Sequence, residues 1–201
     1  MRRPRGREKL ATGVRREQIT AAAIFLLSRH GSRGLSVAAV AHHLDLVPSA
    51  LYRHFRNKEE VIDAALEVTR QTMLANVREA AAPDALEHLH RIALGHARLI
   101  RENQAIPRIL FGEALSTGHP DRKRKISRLI RVYLDEIAEI VRRGQKEGRI
   151  RADIDPSTTA LLLIGLVQPA GLLWFVTDGR FDVIRQVRKG WRLFEAAIRK
   201  N

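Results

Sequence analysis

The segment LYRHFRNKEE, from Leu51 to Glu60, concentrates cationic, aromatic and hydrogen-bonding side chains in ten residues. Arginine, lysine and histidine side chains can donate hydrogen bonds to phosphate oxygens and to the edges of nucleic-acid bases. If the segment is helical, Leu51 and Phe55 point inward as anchors, because residues four apart lie on one face. Their neighbours then face outward: Ser49, Ala50, Tyr52, Arg53 and His54. The segment therefore predicts a surface that can contact a polyanion.

A first helix over residues 15–30 is predicted to support this surface. Its apolar residues recur at helical spacing and form one stripe. They are Ile19, Ala22, Ala23, Leu26 and Leu27. Gly31 and Gly34 follow closely, and glycine commonly ends a helix. We expect the helix to stop in the loop that contains these two glycines.

Two shorter helices are predicted next. Ser36 can cap a second helix of about two turns, because its hydroxyl can accept a hydrogen bond from the first turn. Pro48 suits the first position of a third helix, where its missing N–H group has no intrahelical partner, and this helix would run to about His54. Two short helices joined by a three-residue turn are typical of a helix-turn-helix unit, whose second helix enters the major groove of DNA.

A fourth helix is predicted to begin at Lys58. Asn57 followed by Glu60 has the spacing of a capping box, in which each residue satisfies a free backbone N–H group of the helix start. This start places the Lys58 ammonium near the preceding helix. We therefore expect Lys58 to reach a DNA phosphate.

Residues 15–66 resemble the DNA-binding domain of the TetR family of bacterial transcriptional regulators. Members of that family share an aliphatic first helix, a Ser or Thr that opens the second helix, and the run L-Y-x-H-F-x-x-K-E. The matching positions are Ser36, Val40, Ala41, Leu51, Tyr52, His54, Phe55, Lys58 and Glu59. The resemblance covers a quarter of the chain. It implies a sequence-specific DNA-binding regulator, and most members of the family are repressors.

The chain departs from the family where the family usually has Gly-Val-Ser before the recognition helix. Here the residues are Asp45, Leu46 and Val47. Aspartate tolerates the left-handed backbone that such a turn needs, so the turn can still form. Valine cannot cap a helix, which costs on the order of 1 kcal/mol, and it has no hydroxyl for DNA. The expected DNA-binding residues are Ser36, Pro48, Ser49, Ala50, Tyr52, Arg53, His54 and Lys58.

The charge of the chain agrees with an anionic partner. There are 36 Lys and Arg against 22 Asp and Glu, a net charge of +14. Residues 1–61 hold 12 of these cations and 5 of the acids, so half of the net charge lies in less than a third of the chain. We expect residues 1–14 to form a basic, flexible arm, whose charge Arg15 and Arg16 extend. Such an arm either contacts DNA or is a solvated tail.

Composition also limits the chemistry and the location. The chain has no cysteine, which excludes disulfides, thiolate zinc sites and cysteine nucleophiles. Its basic amino end leads into an amphipathic helix and not into an apolar signal segment, so no export is predicted. Residues 160–176 are almost entirely apolar, but they are slightly short for a membrane span and contain Gln168 and Pro169. We expect a buried or interface helix there, and a cytoplasmic, nucleoid-associated protein without membrane contact.

The patterns from residue 61 to 201 predict a helical bundle without strands. Helices are expected over residues 83–102, 107–115, 121–147 and 181–199, and another begins at residues 155–156. The long helix carries the stripe Ile126, Leu129, Ile130, Tyr133, Leu134, Ile137, Ile140 and Val141, and the last buries Ile184, Val187, Trp191, Phe194 and Ile198. The fold class is therefore all-α, with about nine helices in total.

The resemblance implies that residues 61–201 form a ligand-binding and dimerisation domain, after a helix-turn-helix domain at residues 15–60. The last two long helices have more apolar surface than one bundle face needs, and Gly165 and Gly171 would allow close helix approach. We expect a homodimer through these helices, with its two recognition helices one DNA turn, roughly 34 Å, apart. The partner would be a palindromic operator in double-stranded DNA, and a ligand that favours another spacing would release it.

An effector site is expected where polar side chains lie on otherwise apolar helix faces. The candidates are His96, Tyr133 and Gln168, with Phe111 and Trp174 as aromatic walls. Each of them also has an ordinary structural explanation, such as a hydrogen-bonded core histidine or a glutamine bonded across a dimer. The natural effector for such a site is a small apolar molecule.

Other chemistries are disfavoured. His88, His90 and His96 lack metal-site spacing, and no cofactor is expected. The sequence contains no nucleophile elbow, phosphate loop or dinucleotide fingerprint, so we predict that it is not an enzyme. The basic stretch 122–131 indicates a solvated helix face in preference to a second polyanion site or a membrane patch. The alternative function is a DNA-binding or adaptor protein whose bundle binds a protein partner and no small-molecule effector.

Overall fold

A computed structural model describes residues 12–102, 110 and 120–200 of the chain. Eight of the nine expected helices occur among these residues, which contain no β-strand. They separate into two compact units, the first ending at Glu67 and the second beginning at Val68. This division falls seven residues after the predicted boundary at residue 60, inside a continuous helix without Gly or Pro. The assignment of residues 15–60 and 61–201 to two functional domains stays a prediction.

Unit 1 contains α1 (Thr12–Gly34), α2 (Val37–His43), α3 (Pro48–Leu51) and the beginning of α4 (Lys58–Glu79). Helix α1 starts three residues before the predicted Arg15. It is interrupted at Gly31, whose φ of 63° and ψ of −174° are not helical. The interruption lies where the sequence predicted the helix to end, because glycine adopts positive φ without steric cost.

The caps and turn of the short helices are as predicted. The Ser36 hydroxyl accepts a hydrogen bond from the Ala39 N–H group at 3.0 Å and caps α2. Asp45 has a φ of 54°, the left-handed conformation expected for the turn. Pro48 occupies the first turn of α3, and its N-cap Val47 makes no side-chain cap bond. Helix α3 ends at Leu51 and continues as a turn, so it is shorter than predicted.

Asn57 and Glu60 form the expected cap at the start of α4, in a modified form. The Glu60 N–H group donates to Asn57 Oδ1 at 2.9 Å. The Glu60 carboxylate accepts from the N–H group of Arg56, one residue before the usual partner, at 2.7 Å. Both bonds tie the entry of α4 to the segment that follows α3.

Unit 2 contains the rest of α4 together with α5 (Ala85–Glu102), α6 (Pro120–Lys146), α7 (Pro156–Val176) and α8 (Val183–Ile198). The carboxylates of Asp84, Asp155 and Asp182 each accept from a backbone N–H group in the first turn that follows. These caps explain why the predicted boundaries agree closely with the observed ones. The helix expected over residues 107–115 lies outside the described residues, apart from the helical Leu110.

The core of unit 2 corrects two predictions. Ile130, placed on the buried stripe of α6, is exposed, whereas Arg122, placed on a solvated face, is buried. Gly171 does allow close packing, since a Cβ atom there would lie 2.9 Å from Ile100 Cδ1 of α5. Nothing lies within 4 Å of a Cβ atom at Gly165 in the single chain, and close helix approach there in a dimer stays a prediction. Helical periodicity predicts which way each side chain points, but it does not predict how much of that face the neighbouring helices cover.

Candidate nucleic-acid interface and ligand site

The recognition surface of unit 1 combines two buried anchors with exposed neighbours. Leu51 and Phe55 are buried, as predicted, whereas Tyr52 exposes 57% of its surface. Ser36, Pro48, Ser49 and Arg53 are also exposed, and Ala50, His54 and Lys58 are half-buried. The anchors thus leave a contiguous patch of hydroxyl, guanidinium and aromatic groups that can donate to phosphates and base edges.

His54 differs from its predicted outward position. It is half-buried, and its Nδ1 atom is buried without a hydrogen-bond partner. Its backbone carbonyl accepts a hydrogen bond from the guanidinium of Arg16. The turn after α3 brings the residue back toward α1, because α3 ends at Leu51 and no longer maintains the helical direction.

Arg16 is a structural residue that the sequence reading assigned to the basic arm. Residues 12–16 lie within α1, so the end of the predicted flexible arm is helical, and residues 1–11 lie outside the described residues. The Arg16 guanidinium lies over the Phe55 ring, 4.1 Å from its centroid, and pairs with Glu60 at 3.8 Å. It therefore connects α1 with both ends of the segment between α3 and α4. Phe55 was the sequence signal for this contact, because an aromatic ring can bind the guanidinium group of an arginine.

In unit 2 the structure brings together two of the predicted ligand residues. The Tyr133 hydroxyl lies 3.2 Å from His96 Nδ1, and both side chains are buried. The Nδ2 group of Asn76 donates to this hydroxyl and to the Ile92 carbonyl, each at 3.1 Å. Asn76, on α4, was missed because a single asparagine among helical residues has no distinguishing pattern. The three side chains form one polar cluster inside the bundle.

Burial determines the protonation of this cluster. It lowers the pKa of His96 to about 4, because a charged imidazole would lose its hydration. It also raises the pKa of the Tyr133 hydroxyl, an effect that the hydrogen bond from Asn76 partly opposes. Both groups are therefore neutral at pH 7. A neutral His96 can accept a hydrogen bond from the Tyr133 hydroxyl, so Asn76 donates to Tyr133 and Tyr133 donates to His96.

Gly95 makes room for the cluster. A Cβ atom at this position would lie 1.8 Å from Asn76 Oδ1, far closer than any real contact. Glycine is needed here for space and not for an unusual backbone angle, because Gly95 lies inside α5. It adjoins His96 in sequence, so the two neighbouring residues serve the same cluster.

The other predicted ligand residues do not join this cluster. Gln168 and Trp174 are half-buried on α7, and the Trp174 indole lies beside Gly179 in the turn that follows. Phe111 lies outside the described residues. Two clefts of about 440 and 460 Å³ occur in the described part of unit 2, and no predicted ligand residue lines either of them.

One side of α7 and α8 is exposed and apolar. The most apolar 18-residue stretch of α7 has a mean hydropathy of 1.9, yet only a third of it is buried. The exposed residues are Leu161, Leu162, Leu172, Leu173, Phe175 and Val176 of α7 and Leu193 of α8. Helix α7 is long and apolar enough to cross a membrane, but one such helix carries little weight, because interface helices have the same composition.

Two protein families match the two parts of the chain. Residues 19–65 match the family described as bacterial regulatory proteins, tetR family. Residues 82–193, more than half of the chain, match the tetracyclin repressor-like C-terminal domain. The nucleoid occlusion factor SlmA of Haemophilus influenzae is 23% identical over 192 residues, which cover 94% of this chain and 88% of that protein.

Solved structures share the fold. The ketosteroid transcriptional regulator KstR2 of Mycobacterium tuberculosis has a TM-score of 0.74 at 20% identity, with 99% of this chain and 100% of that chain covered. The regulator FadR of Bacillus subtilis, in complex with stearoyl-CoA, has a TM-score of 0.75 at 19% identity, with 90% and 98% covered.

The sequence resemblance is thus confirmed over both units of the chain. Proteins of this family are soluble, bind DNA and small-molecule ligands, and form dimers. They act as regulators and not as enzymes, as the sequence predicted. The chain belongs to the TetR family and is a DNA-binding transcriptional regulator with a ligand-binding domain.

Proposed function

We propose that the protein is a homodimeric repressor that binds a palindromic operator and is released from it by a small apolar effector. One observation carries the DNA-binding part: Leu51 and Phe55 are buried while Tyr52 and Arg53 between them are exposed. A four-residue helix cannot persist alone, since helix nucleation is costly. The buried anchors hold it against the rest of unit 1, so that its outer side chains can enter the major groove.

We assign the contacts by chemistry and exposure. Arg53 and Tyr52, which are exposed, read base edges together with Ser49, whereas Pro48 and Ala50 pack against the groove. Ser36 and Lys58 contact phosphates and set the register. His54 contributes through its exposed part only, because its Nδ1 atom is buried. The contribution of the arm, residues 1–14, stays a prediction.

The exposed apolar side of α7 and α8 supports the homodimer. Apolar patches of this kind are rarely left in contact with water, because each buried Å² of apolar surface contributes about 25 cal/mol. An isologous contact between two copies would cover the same patch on both. It would also present two recognition surfaces with two-fold symmetry, which requires a palindromic operator.

The effector is proposed to bind in unit 2. Its neutral polar cluster of Asn76, His96 and Tyr133 provides donors and acceptors inside an otherwise apolar bundle, as orienting groups do in ligand sites. Related folds bear on the chemical class, since two of them are a ketosteroid regulator and a regulator in complex with stearoyl-CoA. We infer an apolar effector with one polar end, and Gln168, Trp174 and Phe111 remain candidates for its walls.

The proposed location is the cytoplasm, in association with the nucleoid. The relative named a nucleoid occlusion factor favours a second candidate, a DNA-binding protein whose bundle binds a protein and no small molecule. The two candidates differ in the contents of unit 2. Native mass spectrometry of the purified protein would detect a bound apolar molecule under the first candidate and only the protein under the second.

Selection of bound sequences from random duplexes tests the DNA-binding proposal. A palindromic consensus is expected, with half-sites one DNA turn, roughly 34 Å, apart. Tyr52→Ala combined with Lys58→Ala should abolish binding to the consensus and leave the dimer intact. Affinity should also fall steeply between about 50 and 200 mM salt, because phosphate neutralisation releases counterions. Selection without a palindrome, or unchanged affinity of the double variant, would contradict the assignment.

A further inference from the structure

A polar cleft between α5 and α8 of unit 2 is separate from every site described above. Its volume is about 440 Å³, which falls within the range of roughly 300–1,000 Å³ typical of small-molecule sites. The lining residues are Asp84, Leu86, Glu87, His90, Arg188, Trp191, Arg192, Glu195 and Arg199. It contains neither the polar cluster around Tyr133 nor the exposed apolar residues of α7 and α8.

The acidic residues of the cleft are already paired with cations. Glu87 forms an ion pair with Arg91 at 2.7 Å, and its other carboxylate oxygen lies 3.8 Å from His90 Nδ1. Asp84 pairs with Arg149 at 3.3 Å. The third acid, Glu195, pairs with Arg199 one turn along α8. The negative charges of the cleft are therefore compensated before any ligand binds.

Two arginines of the cleft are not compensated. Arg188 and Arg192 are exposed, and within the described part of the chain neither makes an ion pair or a side-chain hydrogen bond. They lie four residues apart on α8, so they project from one face about 5–6 Å apart at their Cβ atoms. Two guanidinium groups at this spacing can hold one dianion between them, because each offers a planar fork of N–H donors.

Aromatic rings lie beside the two arginines. The His90 and Trp191 rings are stacked, with centroids 4.8 Å apart and an angle of 16° between their planes. Both residues line the cleft, and their stacked rings provide it with an aromatic surface. The cleft therefore combines two cations with a flat surface, and its volume exceeds that of a bare phosphate ion.

We propose that this cleft binds a small phosphate monoester that carries a planar ring, with Arg188 and Arg192 holding the phosphate and His90 contacting the ring. The inference does not depend on the operator or the apolar effector proposed above. It assigns to unit 2 a second ligand site of different character, which is cationic and binds an anion, whereas the first binds an apolar molecule.

Tryptophan fluorescence tests the site directly. In a Trp174→Phe background Trp191 is the remaining tryptophan, and adenosine 5′-monophosphate is the probe, titrated at constant ionic strength. A saturable change in fluorescence is expected, and calorimetry on the unaltered protein provides a second measurement that does not depend on the background substitution. Arg188→Gln and Arg192→Gln should each weaken binding about tenfold, as loss of a charge-assisted bond does.

The control experiments distinguish specific binding in the cleft from nonspecific attraction of an anion to a basic protein. Arg185→Gln removes an exposed arginine of the same helix that does not line the cleft, and it should leave binding unchanged. Inorganic phosphate should compete with the nucleotide, whereas adenosine without phosphate should bind far more weakly. No saturable binding, equal loss with Arg185→Gln, or adenosine binding as tight as that of the nucleotide would each overturn the proposal.

Discussion

The guanidinium of Arg16 lies 4.1 Å from the centroid of the Phe55 ring and donates a hydrogen bond to the carbonyl of His54. Phe55 is the inner anchor of the recognition segment, so the cation on α1 covers the side of the ring that the core leaves open. The pair with Glu60 extends the contact to the start of α4. Arg16 thus positions the recognition surface without belonging to it.

Replacement of Arg16 by Ala should destabilise unit 1 by about 1–2 kcal/mol, because a cation–π contact and a charge-assisted hydrogen bond are lost together. Operator affinity should decrease as well, since the end of the recognition segment loses its tether. Urea unfolding and fluorescence anisotropy would measure the two effects. Arg15→Ala is the matched control for stability, because within the described part of the chain the Arg15 side chain bonds Gln18 alone, on the same helix, at 2.9 Å. Equal losses of stability from the two substitutions would refute the positioning role.

Replacement of Gly95 by Ala should disrupt the polar cluster of unit 2. The new methyl group would meet Asn76 Oδ1 and displace it from Tyr133 and Ile92, so we expect a loss of about 1–3 kcal/mol in unfolding free energy. Gly13→Ala, in open space in the first turn of α1, is the control and should be neutral or stabilise by up to ~1 kcal/mol, because alanine is the better helix former.

A double substitution distinguishes the steric cause. If Gly95→Ala acts by displacing Asn76, its cost should shrink when Asn76→Ala is already present, since contacting residues are not additive. Full additivity of the two substitutions in thermal or urea unfolding would place the cause elsewhere.

Stability should fall in mild acid because of His96. Its pKa is about 4 in the folded chain against 6.5 when unfolded, so between these values the unfolded state binds the proton and the folded state does not. Unfolding free energy should therefore decrease as pH falls from 6.5 to 4, by about 3 kcal/mol at most for this group, and level off below. Urea unfolding of the protein and of His96→Gln at several pH values measures it, and the substituted protein should show a shallower dependence. Identical slopes would exclude His96 as the cause.

The exposed apolar side of α7 and α8 should be the dimer contact. Leu172 and Leu193 expose 62% and 77% of their surface, and replacement of both by Glu would place charges where two copies meet. Analytical ultracentrifugation should then detect a monomer. Operator affinity should fall, because a monomer has only one recognition surface to bind DNA. Val132→Glu, an exposed apolar position on α6, is the control and should remain dimeric. A dimeric Leu172→Glu, Leu193→Glu protein would show that the interface lies elsewhere.

Local chemistry in the sequence was sufficient for the helix starts and for the recognition segment. The cap by Ser36, the left-handed Asp45 and the position of Pro48 each depend on contacts within a few residues, and the structure contains all three. The burial of Leu51 and Phe55 follows from helical spacing in the same way. A short-range interaction can be read from the sequence because both partners appear in one window of residues.

The tertiary structure alone decided which distant residues meet and which apolar faces are left uncovered. Asn76 and Tyr133 are 57 residues apart, and Arg16 and His54 are 38 apart. Neither pair has a sequence signal, because any buried polar group needs some partner and the sequence does not specify which one. Ile130 and Arg122 were misplaced for the same reason. Periodicity states which way a side chain points, but the packing of neighbouring helices determines whether protein or water lies there.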